Sequence, residues 1–204
     1  TISQQPQSAA VCAGATQGFS VTATGGTLSY QWQVSTNGGT AWSNISGANS
    51  SSYLVTGITL GMNGYQYHCL VTGTCPPTTV TSSAATLSVT NALSITGQPS
   101  NQTVCEGSNA TFGITAVGAS NYQWQVSTDG GNTFTNIANS GVYSGVTTTT
   151  LTITQPPVSM SGYFYRCRLQ GPAPCPPVYS FFRMLTVNPL PTIVISASPY
   201  TRLF

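Results

Sequence analysis

Apolar and polar residues alternate along most of the chain with the period of two that β-strands show. The segment GFSVTA places Phe19 and Val21 on one face, and TFGITA repeats this pattern with Phe112 and Ile114. Gly, Asn and Pro interrupt these short runs, and no helical apolar stripe of useful length is present. The pattern predicts an all-β chain built from short strands.

The chain also aligns with itself. Trp32 corresponds to Trp124, Cys69 to Cys167, and Leu87-x-Val89 to Leu185-x-Val187. Self-similarity on this scale predicts two tandem modules, 1–91 and 92–189. Ile and Pro are spaced alike at the start of both modules and again near the end of the chain, so 190–204 is interpreted as the opening strand of a third module. The residues of this possible assembly strand are Ile193, Ile195, Tyr200, Leu203 and Phe204.

Charge is almost absent: 3% of residues are charged, the net charge is +2, and the acidic residues are Glu106 and Asp129. Without clustered basic residues there is no electrostatic case for nucleic-acid binding. No run approaches the roughly 20 apolar residues that span a bilayer, so membrane insertion is not expected. Six cysteines without metal-ligand spacing favour an oxidising, extracellular compartment.

The segment YQWQVSTDGGNTF resembles the Asp-box of sialidase propellers, but YQWQVSTNGGTAW repeats it with Asn37 in place of Asp129. A motif that loses its carboxylate between copies indicates a hairpin turn pinned by local hydrogen bonds. Glycosidases need two nearby carboxylates, and hydrolase triads need a histidine with an acid. The sequence therefore predicts no enzyme activity, no metal and no cofactor.

A tryptophan on the third predicted strand followed by Met-x-Gly-Tyr-x-Tyr-x-Cys resembles an immunoglobulin-type domain, in both modules. The fuller pattern, with VC-x-G, YQWQVS and a Cys-Pro-Pro turn, resembles tandem Ig-like modules of large secreted and cell-surface proteins of Bacteroidota bacteria. The resemblance implies two sandwiches, with Val21 and Ile114 where antibody domains have a cysteine. The residues that it places in the cores are Trp32, Trp124, Tyr67, Tyr165, Cys69, Cys167, Val21 and Ile114. Gln31 and Gln33 are expected to face outward.

For the cysteines, the same resemblance implies the bridges Cys12–Cys75 and Cys105–Cys175, with Cys69 and Cys167 left as buried thiols. The geometry of an ordinary Ig sandwich argues against these bridges, because the two turns lie at opposite ends. A bridge from Cys12 to Cys175 of the next module respects that geometry. The bridges within each module are the expectation, with the other pairing open.

Two functions fit these features. One is a non-enzymatic extracellular spacer or filament segment, whose partners are neighbouring Ig-like modules or other copies joined head-to-tail by donation of the strand at 190–204. Alternatively, the chain is one part of a longer polypeptide, with the rest of the third module beyond it. The other function is an adhesin or carbohydrate-binding module for glycans or cell-surface proteins. Its possible ligand aromatics are Trp42, Tyr53, Phe134 and Tyr143.

Overall fold

The computed structural model describes residues 1–74, 76 and 78–192. Regular structure in these residues is β-strand, apart from two single-turn 3-10 helices at Leu60–Met62 and Val158–Met160. This confirms the all-β class. None of the helices in the described residues is long and apolar enough to cross a membrane. The strand predicted at 190–204, with Ile193, Ile195, Tyr200, Leu203 and Phe204, lies outside the described residues from 193 onward.

The first repeat contributes ten strands. They are β1 (Ile2–Gln4), β2 (Ala9–Cys12), β3 (Gln17–Ser20), β4 (Thr22–Ala23), β5 (Ser29–Ser35), β6 (Ser43–Asn44), β7 (Ser52–Val55), β8 (Gln66–Thr72), β9 (Thr79–Thr81) and β10 (Ala85–Thr90). The larger sheet has the order β2-β10-β8-β5-β6, with β9 also paired to β8, and the opposite layer contains β3 with β7 and β1 with β4. Strand β2 runs parallel to β10, and the other pairs are antiparallel.

The second repeat has the same plan with one extra strand. Its strands are β11 (Ser94–Gly97), β12 (Gln102–Cys105), β13 (Ala110–Gly113), β14 (Thr115–Val117), β15 (Asn121–Ser127), β16 (Thr135–Asn136), β17 (Tyr143–Ser144), β18 (Thr150–Ile153), β19 (Phe164–Gln170), β20 (Val178–Tyr179) and β21 (Arg183–Asn188). The larger sheet follows β12-β21-β19-β15-β16, with β20 on β19. The opposite layer has the order β13-β18-β17, and the added β17 lies in the region where the second repeat is longer.

Each core is built around its tryptophan. Trp32 and Trp124 have no exposed surface, and strand pairing sets Trp32 opposite Cys69. Val21 and Ile114 are each 4% exposed. The other predicted core residues are also buried: Tyr67, Tyr165, Cys69 and Cys167. A full tryptophan side chain carries one of the largest apolar areas that a small domain can bury.

The last strand of each sheet is broken in the middle. Strands β9 and β10 pair with β8 on either side of a gap, and in that gap the Ser82 hydroxyl accepts the Cys69 N–H at 2.9 Å. Ser180 accepts the Cys167 N–H at 2.9 Å in the same way. Both serines are buried. The hydroxyl oxygen of each serine takes the place of the backbone acceptor that the broken strand does not supply at this point of the ladder. The two serines therefore mark equivalent positions of the repeats.

The glutamines of β5 are less exposed than the alternation predicts. Gln31 donates from its amide nitrogen to the carbonyl of Ile45 at 2.9 Å, and Gln33 donates to Asn44 at 2.7 Å. In the second repeat, Gln125 is buried. These amides hold the adjacent strand, so their replacement removes hydrogen bonds from it.

The chain divides into two compact units that do not coincide with the repeats. Unit one contains Thr1–Ser94 together with Ala116–Ser120 and Leu169–Val178, and unit two contains Ile95–Thr115, Asn121–Arg168 and the residues from Tyr179 onward. Two segments of the second repeat thus belong to the unit formed by the first repeat. The boundaries predicted at 91 and 189 describe the sequence repeat and remain a prediction for the folding units.

The disulfide pairing expected within each module is wrong. Cys12 is bonded to Cys175, with the two α-carbons 5.5 Å apart, and both residues belong to unit one. Cys12 ends β2 beside Thr90, and the Cys175 sulfur lies 3.2 Å from the Thr90 hydroxyl, so the two sulfurs meet where the first repeat ends. Cys105 is a free, exposed thiol and therefore does not pair with Cys175. Cys75 lies outside the described residues.

Thiol reactivity should follow these environments. Burial raises the pKa of the Cys69 and Cys167 thiols to about 11 in each case, whereas Cys105 is exposed. We expect iodoacetamide at pH 8 to label Cys105 of the native protein much faster than the two buried thiols, since the thiolate is the nucleophile. Peptide mapping by mass spectrometry measures this. Equal labelling of Cys69 and Cys105 in folded protein would contradict the burial, and unfolding in denaturant should abolish the difference.

Candidate functional site: an aromatic and arginine face

Two of the aromatics predicted to bind ligands, Tyr53 and Tyr143, are half-buried and contact core tyrosine or tryptophan rings. The Tyr53 ring lies 6.4 Å from Trp32 and 6.1 Å from Tyr67. The Tyr143 hydroxyl lies 3.2 Å from that of Tyr165. These contacts give both tyrosines a packing role, and their part in ligand binding stays a prediction.

Trp42 closes an edge of the first repeat. Its ring stacks on His68 with the centroids 3.7 Å apart, and its indole N–H donates to the Gly39 carbonyl at 3.1 Å. Burial lowers the pKa of His68 below its ordinary value, which favours the neutral ring. The His68 Nε2 atom lies 2.6 Å from the side-chain oxygen of Gln33. One face of Trp42 is thus occupied by an internal contact.

Phe134, the counterpart of Trp42, belongs to a larger cluster in unit two. The Arg166 guanidinium lies 4.0 Å from the Phe134 ring centroid and 4.6 Å from that of Tyr179. The Phe182 ring packs on Phe134 at 5.8 Å and on Phe164 at 5.3 Å. Cation–π and edge-to-face contacts of this kind order aromatic rings on a surface. We call this surface the aromatic face; its residues are Phe134, Phe164, Arg166, Tyr179, Phe181 and Phe182.

Three rings of the aromatic face remain open to solvent. Phe181 is 63% exposed, Phe182 46% and Tyr179 44%. Nearby, Arg183 donates from Nε to the Pro99 carbonyl at 2.8 Å, and its guanidinium lies 5.6 Å from the Phe181 ring. Adjacent exposed aromatics of this size mark interaction surfaces more often than isolated ones do.

The first repeat has small residues at the same places. With Ser82 aligned on Ser180, the segment VTSSAA of the first repeat stands where VYSFFR stands in the second. The three open aromatics therefore replace Thr81, Ser83 and Ala84. The sequence analysis did not predict these three aromatics, although the difference between the two repeats at these positions is visible in the sequence. The aromatic face is thus a property of the second repeat.

The Asp-box-like turn is a self-contained hydrogen-bonded loop. The Asp129 carboxylate accepts the Ser127 hydroxyl at 2.6 Å and the Thr133 N–H at 2.9 Å. These hydrogen bonds, led by that of Ser127, hold the pKa of Asp129 well below its ordinary value. In the first repeat, Asn37 accepts the Ala41 N–H at 2.9 Å with its side-chain oxygen. The Asp129 carboxylate thus makes its hydrogen bonds within its own loop, as a residue that stabilises a turn does.

Outside the aromatic face, the titratable side chains of the described part of the chain lie apart from one another or in the cores. No three His, Cys, Asp or Glu residues there come together as a metal site. The strongly shifted groups away from the Asp129 turn are core residues: burial raises the pKa of Tyr67 to about 12 and raises that of Tyr165 further. What this surface can do is stack on a planar ligand and donate hydrogen bonds from arginine.

The fold and the repeated core define a protein of two tandem immunoglobulin-like domains. The chain belongs to the family described as "Domain of unknown function (DUF8696)", which matches residues 1–91 and again 95–189. None of the curated proteins matches the chain.

Solved structures share the fold over nearly the whole chain. Extracellular domains 3–5 of Drosophila OTK are 17% identical with a TM-score of 0.65, and the match covers 92% of this chain and 61% of that one. Sidekick-1 immunoglobulin domains 1–4 are 18% identical with a TM-score of 0.60, covering 92% and 48%. The titin I-band fragment I67–I69 is 17% identical with a TM-score of 0.57, covering 93% and 65%. The chain thus spans less than two thirds of each, and at these identities the likeness shows the fold.

The Asp129 turn generates a prediction about acid stability. A carboxyl group whose folded pKa is depressed contributes stability above its unfolded pKa, and that contribution is lost as the pH falls through the folded value. Asp129→Asn should therefore flatten the fall in melting temperature between about pH 4 and pH 2. The reciprocal variant Asn37→Asp should introduce such a fall in the first repeat. Unchanged acid profiles for both variants in scanning calorimetry would contradict the turn's hydrogen bonding.

Proposed function

We propose that this chain is a non-enzymatic structural segment, a spacer in an extracellular protein array. The observation that carries the proposal is the bond between Cys12 and Cys175, which are separated by 163 residues in sequence. A disulfide of this kind persists in an oxidising compartment, which favours a secreted or cell-surface location. OTK, with its extracellular domains, has the same fold, which is compatible with that location.

The position of the bond suits a spacer under tension. When a chain is pulled from its ends, tension passes through a disulfide and bypasses the residues between its cysteines. The bypassed residues 13–174 include both core tryptophans, Trp32 and Trp124. The bond therefore limits the extension of the segment to the residues on either side of the loop, 1–12 and 175–204, even when a sandwich opens. The two cores have Val21 and Ile114 at the positions where antibody domains have a cysteine. A core without that inter-sheet disulfide gains most from this protection.

Composition supports the same function. The chain has no lysine and four arginines, so trypsin-like proteases have few sites. Its near-neutral β-rich surface carries little charge to oppose association with neighbouring modules or other copies. Assembly by donation of the strand at 190–204 stays part of this proposal. Its residues from 193 onward lie outside those that the structure describes.

Single-molecule pulling from the two ends tests the spacer. The oxidised chain should extend less than Cys12→Ser by roughly 590 Å, which is the separation of 163 residues at about 3.6 Å each. Reduction with dithiothreitol should restore the missing length. Cys105→Ser is the matched control, because it removes an exposed free thiol and leaves the disulfide intact. Equal extensions of the oxidised chain and Cys12→Ser would refute the shielding on which the proposed function rests.

A second candidate function is recognition of a glycan by the aromatic face. The observation that favours it is the exposure of Tyr179, Phe181 and Phe182 where the first repeat has small residues. Sugar rings stack on exposed aromatic side chains, and arginine donates hydrogen bonds to hydroxyl groups. On this proposal, the chain acts as an adhesin or carbohydrate-binding module toward glycans or cell-surface proteins.

A glycan array of the isolated chain separates this candidate from the spacer. Saturable binding that falls at least tenfold in the double variant Tyr179→Ala, Phe181→Ala would support recognition. Leu54→Ala is the matched control, because Leu54 is 58% exposed and lies in unit one, outside the aromatic face. Binding that survives the double variant, or no saturable binding to any glycan, would count against recognition by this surface.

A further inference from the structure

Arg166 is a cation held in a fixed position on the aromatic face. Its Nε atom donates to the side-chain oxygen of Gln125 at 2.8 Å, and the Gln125 side-chain nitrogen donates to Asn136 at 2.8 Å. Gln125 is 8% exposed, so these two contacts fix the orientation of a buried amide. The rings of Phe134 and Tyr179 lie on the guanidinium at 4.0 and 4.6 Å. One hydrogen bond and two aromatic rings therefore orient the guanidinium before any ligand arrives.

The Nη atoms of Arg166 keep their donors for a ligand. A guanidinium has five N–H donors, and the bond to Gln125 uses the one on Nε. None of the residues that the structure describes accepts a hydrogen bond from the other four. The Asp129 carboxylate, on the hairpin before Phe134, accepts the Ser127 hydroxyl and the Thr133 N–H instead. Paired N–H donors in one plane match the two oxygens of a carboxylate.

Open aromatic rings lie beside this cation. Tyr179 contacts Arg166 and is exposed, and the exposed Phe182 packs on Phe134. Sugar rings stack on exposed aromatic side chains, whose positively polarised edges also attract carboxylate oxygens. A uronic or sialic acid carries its carboxylate directly on the sugar ring, so one sugar residue can meet an aromatic ring and Arg166 together. The acidic side chains of a peptide have no such ring.

The first repeat has the same arrangement without the charge. His68 stands where the second repeat has Arg166, and its Nε2 atom lies 2.6 Å from the side-chain oxygen of Gln33. Its ring stacks on Trp42 at 3.7 Å, as Arg166 lies on Phe134. Because burial lowers the pKa of His68, this ring is neutral at pH 7. The charge, the paired donors and the open rings thus occur together in the second repeat.

We propose that the aromatic face binds acidic saccharides that carry a carboxylate on the sugar ring, with the carboxylate on the Nη atoms of Arg166 and the sugar against Tyr179 and its neighbouring rings. This proposal rests on the second candidate function, recognition of a glycan, and names the ligand class. A neutral glycan meets the rings alone, so it binds more weakly than its acidic counterpart.

Saccharides with and without their charge test the ligand class. The probes are oligosaccharides of the uronic-acid and sialic-acid types on an array, each beside its own methyl ester. At least one acid should bind saturably and roughly tenfold or more tighter than its ester, because esterification removes the charge-assisted hydrogen bonds. Equal binding of every acid and ester would overturn this proposal and leave glycan recognition standing. Binding of none of these probes would overturn this proposal, and neutral glycans on the same array then decide the recognition function separately.

Variants at Arg166 test the site. Arg166→Lys keeps the charge but loses the planar fork, so affinity for the acid should fall roughly tenfold while affinity for the ester is unchanged. The exchange variant, Arg166→His with His68→Arg, keeps the net charge and moves the arginine to the first repeat. It should lose the preference for the acid. Leu54→Ala, outside the aromatic face, should keep that preference.

An exchange variant that still prefers the acid would show a general effect of charge and would overturn the assignment of Arg166. Melting curves establish that each variant is folded, and the comparison of acid with ester in the unaltered chain needs no variant.

Two other anions test the commitment to a sugar carboxylate. Hexaglutamate has carboxylates without sugar rings, and a sulfated oligosaccharide has rings without carboxylates. Both should bind roughly tenfold or more weakly than the preferred acidic saccharide. Hexaglutamate that binds equally well would assign the face to acidic peptides, and an equal sulfated ligand would assign it to anions in general. Either result would overturn the proposal.

Discussion

Each sandwich depends on one buried tryptophan that fixes the crossing between its two sheets. The Trp32 indole N–H donates to the Ser50 carbonyl at 2.9 Å, while the Trp32 backbone pairs with Ala48 and Ile45. Trp124 makes the same kind of indole contact to the Thr148 carbonyl at 3.0 Å. Since none of the cysteines that the structure describes joins the two sheets of a sandwich, this anchor and the burial of apolar side chains keep the two layers together.

The sequence was sufficient for the fold because burial follows local alternation. Trp32, Cys69 and Val21 are buried as their positions in period-two strands predict. The disulfide depends on where turns meet in space: the geometry of an Ig sandwich pointed to Cys12–Cys175, whereas the resemblance pointed to bridges within one module. The preference for bridges inside one module failed, since Cys175 belongs to the unit that the first repeat forms, where it meets Cys12.

The aromatic face was missed because alternation fails at a strand break. At Ser180 the strand turns its hydroxyl inward to replace a ladder hydrogen bond, and the two residues that follow, Phe181 and Phe182, are both exposed. A strict period of two would have assigned one of them to the core. Conversely, Tyr53 and Tyr143 lie on short edge strands, where exposure depends on the neighbouring layer more than on sequence position.

The two repeats have diverged at surfaces whose residues do not overlap. The disulfide involves residues of unit one, and the aromatic face consists of unit-two residues. In the turns, Asn37 and Asp129 hold the same loop with and without charge, so a substitution there changes electrostatics while it preserves geometry. A repeat whose core is anchored by its tryptophan thus tolerates such changes, because the core is formed only by the inward-facing residues of each strand. The outward half is then free to differ: small and polar in the first repeat, aromatic and basic in the second.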